Sequence, residues 1–111
     1  LSVVGDIKDK TVILLDDIVD TGRRVSTGAK ALKVNGAKEI YAACTHPVLS
    51  GIATQYIDES PIKEIVVTDT ISISQEKLSD KMTILTTAPL FSNAISVGAF
   101  LHFKRRHLLV K

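Results

Sequence analysis

An α/β fold built on an open, mainly parallel sheet flanked by helices is what this sequence predicts, and three observations lead there. Short apolar runs rich in β-branched residues recur at residues 11–15 (TVILL), 38–45 (KEIYAACT) and 64–68 (EIVVT), with a weaker fourth at 82–86 (MTILT). Helix-length stretches separate the first three, so neighbouring strands are parallel and joined by crossovers, which are almost always right-handed. Each of the first three runs also ends directly in polar residues: Asp16 and Asp17, then Thr45 and His46, then Thr68, Asp69 and Thr70. In open α/β sheets ligands bind outside the carboxyl ends of the strands, so these residues mark the expected ligand edge.

Taken in order, TVILL is short, apolar and bounded by polar residues, which predicts a strand buried on both faces. The following stretch places apolar residues at Val25, Ala29, Leu32 and Val34 and ends in Asn35 and Gly36, an amphipathic helix with a glycine C-cap and a weak point at Gly28. After the second strand, Ser50 is expected to cap a shorter helix through Ile57, with Ile52, Ala53, Tyr56 and Ile57 as its apolar stripe. From Ala88 the chain reads APLFSNAISVGAFLHFKRRHLLVK, with Pro89 in a first-turn position. Apolar residues fall on more than one face of that helix, so it calls for cover from a larger core or from another chain.

Composition narrows the function classes. With 111 residues, 45% hydrophobic and 23% charged, the chain has globular composition and material for one core. No apolar run approaches the roughly 18 residues of a membrane span, so no membrane partner is expected. The single cysteine, Cys44, lies in an apolar run; a small core residue in a reducing compartment, the cytoplasm, is the expectation. A net charge of +2 is too small to indicate nucleic acid. All 12 acids precede Lys81, however, leaving a locally basic end with Lys104, Arg105, Arg106 and Lys111, read as cations complementing a helix C-terminus. Zinc-ligand spacing, a Walker glycine–lysine loop and GxGxxG are all missing from the sequence, which disfavours structural zinc, P-loop hydrolysis and dinucleotide binding. His102 and His107 suggest no chemistry, and His46 is either part of the site or held by the turn at Pro47.

The stretch VILLDDIVDTGRR, residues 12–24, carries the chemistry. Adjacent carboxylates after a buried strand can accept hydrogen bonds from a sugar's vicinal hydroxyls. Asp20, Thr21 and Gly22 then turn the chain into a helix, whose free backbone N–H groups and positive dipole end suit a phosphate. A sugar-phosphate site follows, with Asp16, Asp17, Asp20, Thr21 and Gly22 as its core and Arg23 and Arg24 at the closing positions.

That stretch resembles the ribose-phosphate motif of type I phosphoribosyltransferase folds, and in particular that of the phosphoribosyl pyrophosphate synthetases (ribose-phosphate diphosphokinases). Val4, Gly5 and Asp6 with Lys10 resemble the family's hairpin before the motif strand; Thr45, His46 and Pro47 with Ser50 and Gly51 resemble its TH-P-x-x-S-G segment; VVTDTI at 66–71 resembles its third strand end. The resemblance implies a phosphoribosyltransferase-like, Rossmann-like three-layer domain and transfer of the diphosphate of ATP to ribose 5-phosphate. It also implies Mg²⁺ as cofactor and a homo-oligomer. Ribose contacts would fall on Asp16, Asp17 and Asp20, and the 5-phosphate loop on Asp20, Thr21, Gly22, Arg23 and Arg24.

The match departs in three places. Where the family's loop closes with small residues and Gly-Thr, this chain has Arg23 and Arg24, and a side chain at a glycine position can strain the backbone. These arginines either supply charge-assisted phosphate contacts or mark a non-catalytic regulatory subunit of the synthetase. The family's ATP contacts, metal-binding His and Asp, and catalytic loop lie upstream of the motif and map onto nothing here. Residues 1–111 therefore read as a single, partial domain lacking the upstream half, inactive as a diphosphokinase on its own, with catalytic and metal residues unassigned. The C-terminal segment lacks the family's regulatory pattern, so no allosteric residue carries over. A phosphoribosyltransferase is a further alternative, though TDTISISQEK offers no base-recognising element.

Overall fold

The computed structural model describes residues 2–108, with side chains for residues 2–99 and Leu101. The described elements are β1 (Thr11–Val19), α1 (Arg23–Val34), β2 (Glu39–Pro47), α2 (Ala53–Glu59), β3 (Ile62–Thr68), a single 3-10 turn (Gln75–Lys77), β4 (Met82–Leu85) and α3 (Ala88–Leu108). The four strands form one fully parallel sheet in the order β1-β2-β3-β4. The expected α/β class and open parallel sheet are present.

Strand order dictates the layering. When every crossover advances to the next strand with the same hand, all connections pass over the same face. Accordingly α1 packs on α2, β1 and β2. The long β3–β4 connection joins the same layer: the Thr54 hydroxyl donates to the Lys77 carbonyl at 2.6 Å, and Lys81 Nζ donates to the carbonyls of Asp58 and Ser60, both at 2.9 Å. α2 has no basic residue in its own last turn, so Lys81 satisfies its terminal carbonyls and complements its dipole from 21 to 24 residues away.

Between sheet and helices lies the core. Ile40, Ala42 and Cys44 of β2 and Ile62, Ile65 and Val67 of β3 meet Val25, Ala29 and Leu32 of α1 and Ala53 and Ile57 of α2, all buried. Three sequence expectations need correction here. Ile52 lies before α2 and is exposed instead of joining its apolar stripe. β1 is not buried on both faces: Ile13 and Leu15 are 62% and 80% exposed, because no described helix covers their side of the sheet. Val34 does not belong to the buried stripe of α1. Nine residues beyond Val25, at 3.6 per turn, it points the opposite way, and it is exposed. The glycine C-cap of α1 is as expected, with Gly36 at φ +93° and its N–H donating to the Lys33 carbonyl at 3.1 Å.

α3 begins where expected, at Ala88, and its described apolar side chains are uncovered: Leu90, Phe91, Ile95, Val97 and Leu101 are all exposed. Its start is tied to β3 through Asp69, whose carboxylate accepts from the Thr87 amide at 2.8 Å and the Thr87 hydroxyl at 2.7 Å. The side chains of His102, Lys104, Arg105, Arg106 and His107, and all of Lys111, lie outside the described residues.

Candidate functional site

β1 extends to Val19, so Asp16 and Asp17 lie within the strand rather than just past it. Strand side chains alternate between faces, and the two acids therefore diverge fully. Asp16 points to the helix-covered side, opposite Cys44 in the register, with a side chain 20% exposed, whereas Asp17 is exposed on the open side. Each carboxylate accepts from the next amide along, Asp17 N–H to Asp16 and Ile18 N–H to Asp17, both at 2.9 Å. Hydrogen bonding with the Asp16 carboxyl group, and then with the Ile18 amide, holds Asp17 below the usual carboxylate range.

The β1–α1 turn is built around Gly22. Its φ of +78° is the left-handed conformation that glycine adopts without cost, and a Cβ there would sit 3.0 Å from the Ala53 carbonyl oxygen at the start of α2. With the positive φ absorbed at Gly22, Arg23 and Arg24 fall in the first turn of α1 with ordinary backbone angles. The strain expected from side chains at these positions does not arise. Arg23 sits over the Tyr56 ring of α2, 5.8 Å from its centroid, a cation–π arrangement between the two helices. Arg24 turns the other way and pairs with Asp16, Nη2 to Oδ2, at 3.3 Å while remaining 85% exposed.

Asp16, Asp20, Thr21, Gly22 and Arg24 line one cavity of about 140 Å³, together with Ile18, Val19 and Val25. At about 30 Å³ per water, that is room for a small anion or part of a sugar-phosphate. The structure thus brings two of the three acids, the turn and one arginine together. Asp17 does not reach that cavity and lines a broader, shallow hollow of about 590 Å³, which Asp16 also borders, with Leu15, Thr45, Val66 and Thr68. Arg23 lines neither.

Other carboxyl-edge residues are occupied with one another. Thr68 and Thr70 hydroxyls donate to the Thr45 carbonyl at 2.5 and 3.0 Å, and His46 Nδ1 lies 2.9 Å from the Thr70 hydroxyl, so this cluster extends the β2–β3 pairing past the ladder. Asp69 is committed to the start of α3; hydrogen bonds from Thr86 and Thr87 lower its pKa from 3.8 to about 2. Cys44 is buried, and burial pushes its thiol up, which makes it an inert core residue.

One residue at this edge was misread from sequence. Ser50 does not cap α2, which starts at Ala53 with Ile52 at its N-cap and no side-chain cap. Its hydroxyl instead donates to Asp20 Oδ1 at 2.5 Å, thirty residues back along the chain. A serine near a helix start is ordinarily a cap, and nothing local in the sequence points to a partner on another loop.

The donor set does not match a magnesium cage. Among the described residues no group of three or more His, Cys, Asp or Glu side chains is placed to hold a metal ion, and Asp16 is already paired with Arg24. These residues do not form a cage for the ion.

Known proteins similar to this chain share one description. The chain is 54% identical over 95 residues to the ribose-phosphate pyrophosphokinase of Oceanobacillus iheyensis and 50% identical over 95 residues to that of Bacillus subtilis, covering 86% of this chain and 30% of each relative. Its fold superposes on the crystal structure of phosphoribosylpyrophosphate synthetase from Mycobacterium smegmatis with a TM-score of 0.82 and 42% identity, over 84% of this chain and 31% of that one. The chain therefore spans about a third of the length of the proteins it matches. Residues 1–99 match the Phosphoribosyl synthetase-associated domain family, and the chain belongs to that family.

Proposed function

We propose that this chain supplies the ribose-5-phosphate site of a ribose-phosphate diphosphokinase, which moves the diphosphate of ATP to the anomeric hydroxyl of ribose 5-phosphate. The observation that carries the reading is the shared cavity: Asp16 and Asp20 stand beside the turn amides, Thr21 and Arg24 at the positive end of α1. Carboxylates accept hydrogen bonds from sugar hydroxyls, and the helix start with an arginine attracts the phosphate, so one pocket serves both ends of the substrate. Phosphoryl transfer depends largely on positioning and charge neutralisation, and this segment contributes the acceptor's share.

ATP and the Mg²⁺ that accompanies it are assigned to parts of a longer protein, of which residues 1–111 form a single partial domain. Magnesium commonly binds through substrate phosphates and one or two carboxylates, and no step is assigned to it here. A cytoplasmic homo-oligomer completes the reading, supported by the exposed apolar surface of α3. No described helix is long and apolar enough to cross a membrane.

A second reading draws on the Asp16–Arg24 ion pair, which occupies an acid that a productive site would offer to ribose. Under it, the protein is a regulatory subunit that binds a synthetase without binding the sugar. Titrating ribose 5-phosphate and Mg-ATP separately into the full natural protein distinguishes the two, since acceptor binding with turnover supports the enzyme and silence on both supports the regulator. Arg24→Ala is expected to weaken ribose 5-phosphate about tenfold or more, the scale of one charge-assisted hydrogen bond. Arg23→Ala, whose guanidinium sits over Tyr56 and does not line the cavity, is expected to change it less than threefold.

A further inference from the structure

The loop after β2, residues 48–52, belongs to no part of the sugar-phosphate motif, yet it is fastened to it at three points. Leu49 N–H donates to the Val19 carbonyl at 3.1 Å, Ser50 N–H donates to the Asp20 carbonyl at 2.8 Å, and the Ser50 hydroxyl donates to Asp20 Oδ1 at 2.5 Å. The loop is itself held in a costly shape. Leu49 has φ +53°, uncommon for a branched side chain, and persists there with that side chain 1% exposed in the core. Burial of Leu49 thus anchors Ser50 where its hydroxyl meets Asp20.

We propose that Ser50 is a positioning residue for the sugar-phosphate site, orienting the Asp20 carboxylate toward the ligand's hydroxyls. The inference rests on the reading of the cavity as a ribose-5-phosphate site. A free aspartate at a loop tip samples several rotamers, and fixing one of them costs free energy on binding. Ser50 occupies Oδ1 and fixes the rotamer beforehand, which leaves Oδ2 as the ligand-facing oxygen. Phosphate recognition, by contrast, falls to the turn amides and Arg24, whereas the Ser50 hydroxyl is bonded to the Asp20 carboxylate. Ser50 therefore acts on sugar recognition and leaves phosphate recognition alone.

The test compares Ser50→Ala and Ser50→Thr with wild type in the full natural protein, using ribose 5-phosphate and inorganic phosphate as separate calorimetric probes. Ser50→Ala is expected to weaken ribose 5-phosphate about tenfold while leaving inorganic phosphate within twofold, and Ser50→Thr, which keeps the hydroxyl, to recover most of the loss. Equal weakening of both probes would mean the loop merely holds the turn together, and unchanged ribose 5-phosphate affinity in Ser50→Ala would also overturn the role. Wild-type protein that fails to bind ribose 5-phosphate would instead remove the reading of the cavity on which the proposal stands.

Discussion

The two faces of the sheet are made from the same strands, alternate residue by alternate residue, and they end as different environments. On one, Ile40, Ile62, Ile65 and Val67 disappear beneath α1 and α2, and the loops above them lock the β1–α1 turn into a cavity. On the other, Ile13, Leu15 and Leu85 stand exposed, Leu15 at a shallow hollow, and the described apolar side chains of α3 are uncovered as well. Apolar content does not separate the two regions, since TVILL is as aliphatic as EIVVT. Connectivity does: a sheet wound strand by strand in one direction lays its helices on one side only.

The largest expected effect probes that asymmetry directly. Ile65→Ala removes a side chain with no exposed surface and is expected to cost about 2–5 kcal/mol in urea unfolding. Leu15→Ala, at 80% exposure, should stay within about 0.5 kcal/mol. A comparable loss from both would mean that the open face is covered in the natural protein, and would identify it as an interface.

A smaller contrast lies in the glycines of the two regions. Gly22→Ala meets both a positive φ and the Ala53 carbonyl, and is expected to destabilise by about 1–3 kcal/mol and to lower ribose-5-phosphate affinity, because the turn must shift. Gly98, in the exposed α3, has open space where a Cβ would go, so Gly98→Ala should stabilise that helix by up to about 1 kcal/mol. Thermal melts of the pair, run side by side, check the sign of each.

The mildest effect concerns the joint between the two regions. Asp69 has its folded pKa lowered to about 2 by Thr86 and Thr87, so its contribution is fully present above the ordinary value of 3.8 and is lost as pH falls through about 2. Asp69→Asn should therefore protect the Thr87 amide less than wild type does near neutral pH. That difference should shrink between about pH 4 and pH 2, as hydrogen exchange at each pH would reveal. A difference that stays constant with pH would place the α3 anchor elsewhere.

Element order and the ligand edge were readable before any coordinates. Parallel strands follow from the alternation of β-branched runs with helix-length segments, and the acids, threonines and turn of the carboxyl edge follow from what each run ends in. Boundaries were read less well. Asp16 and Asp17 looked like residues past a strand because charge ordinarily ends one; an edge strand tolerates them, since Asp16 leans on Arg24 and Asp17 faces an open side. Val34 looked like part of a stripe until its angle around α1 was taken into account. The two arginines looked alike in sequence, yet a helix turn of 100° between neighbours sends Arg23 to Tyr56 and Arg24 to Asp16.

By itself the sequence determined what is local: the strand-forming runs, the glycine that permits the turn, the cap at Gly36, and the cluster of acids followed by a helix start. The tertiary structure decided what depends on distant partners, namely which sheet face is covered, which arginine reaches the cavity, and that Ser50 serves Asp20 instead of its own helix. Local pattern reports the conformational preference of a few successive residues, whereas these outcomes depend on contacts between segments thirty positions apart, which only the folded chain brings within hydrogen-bonding reach.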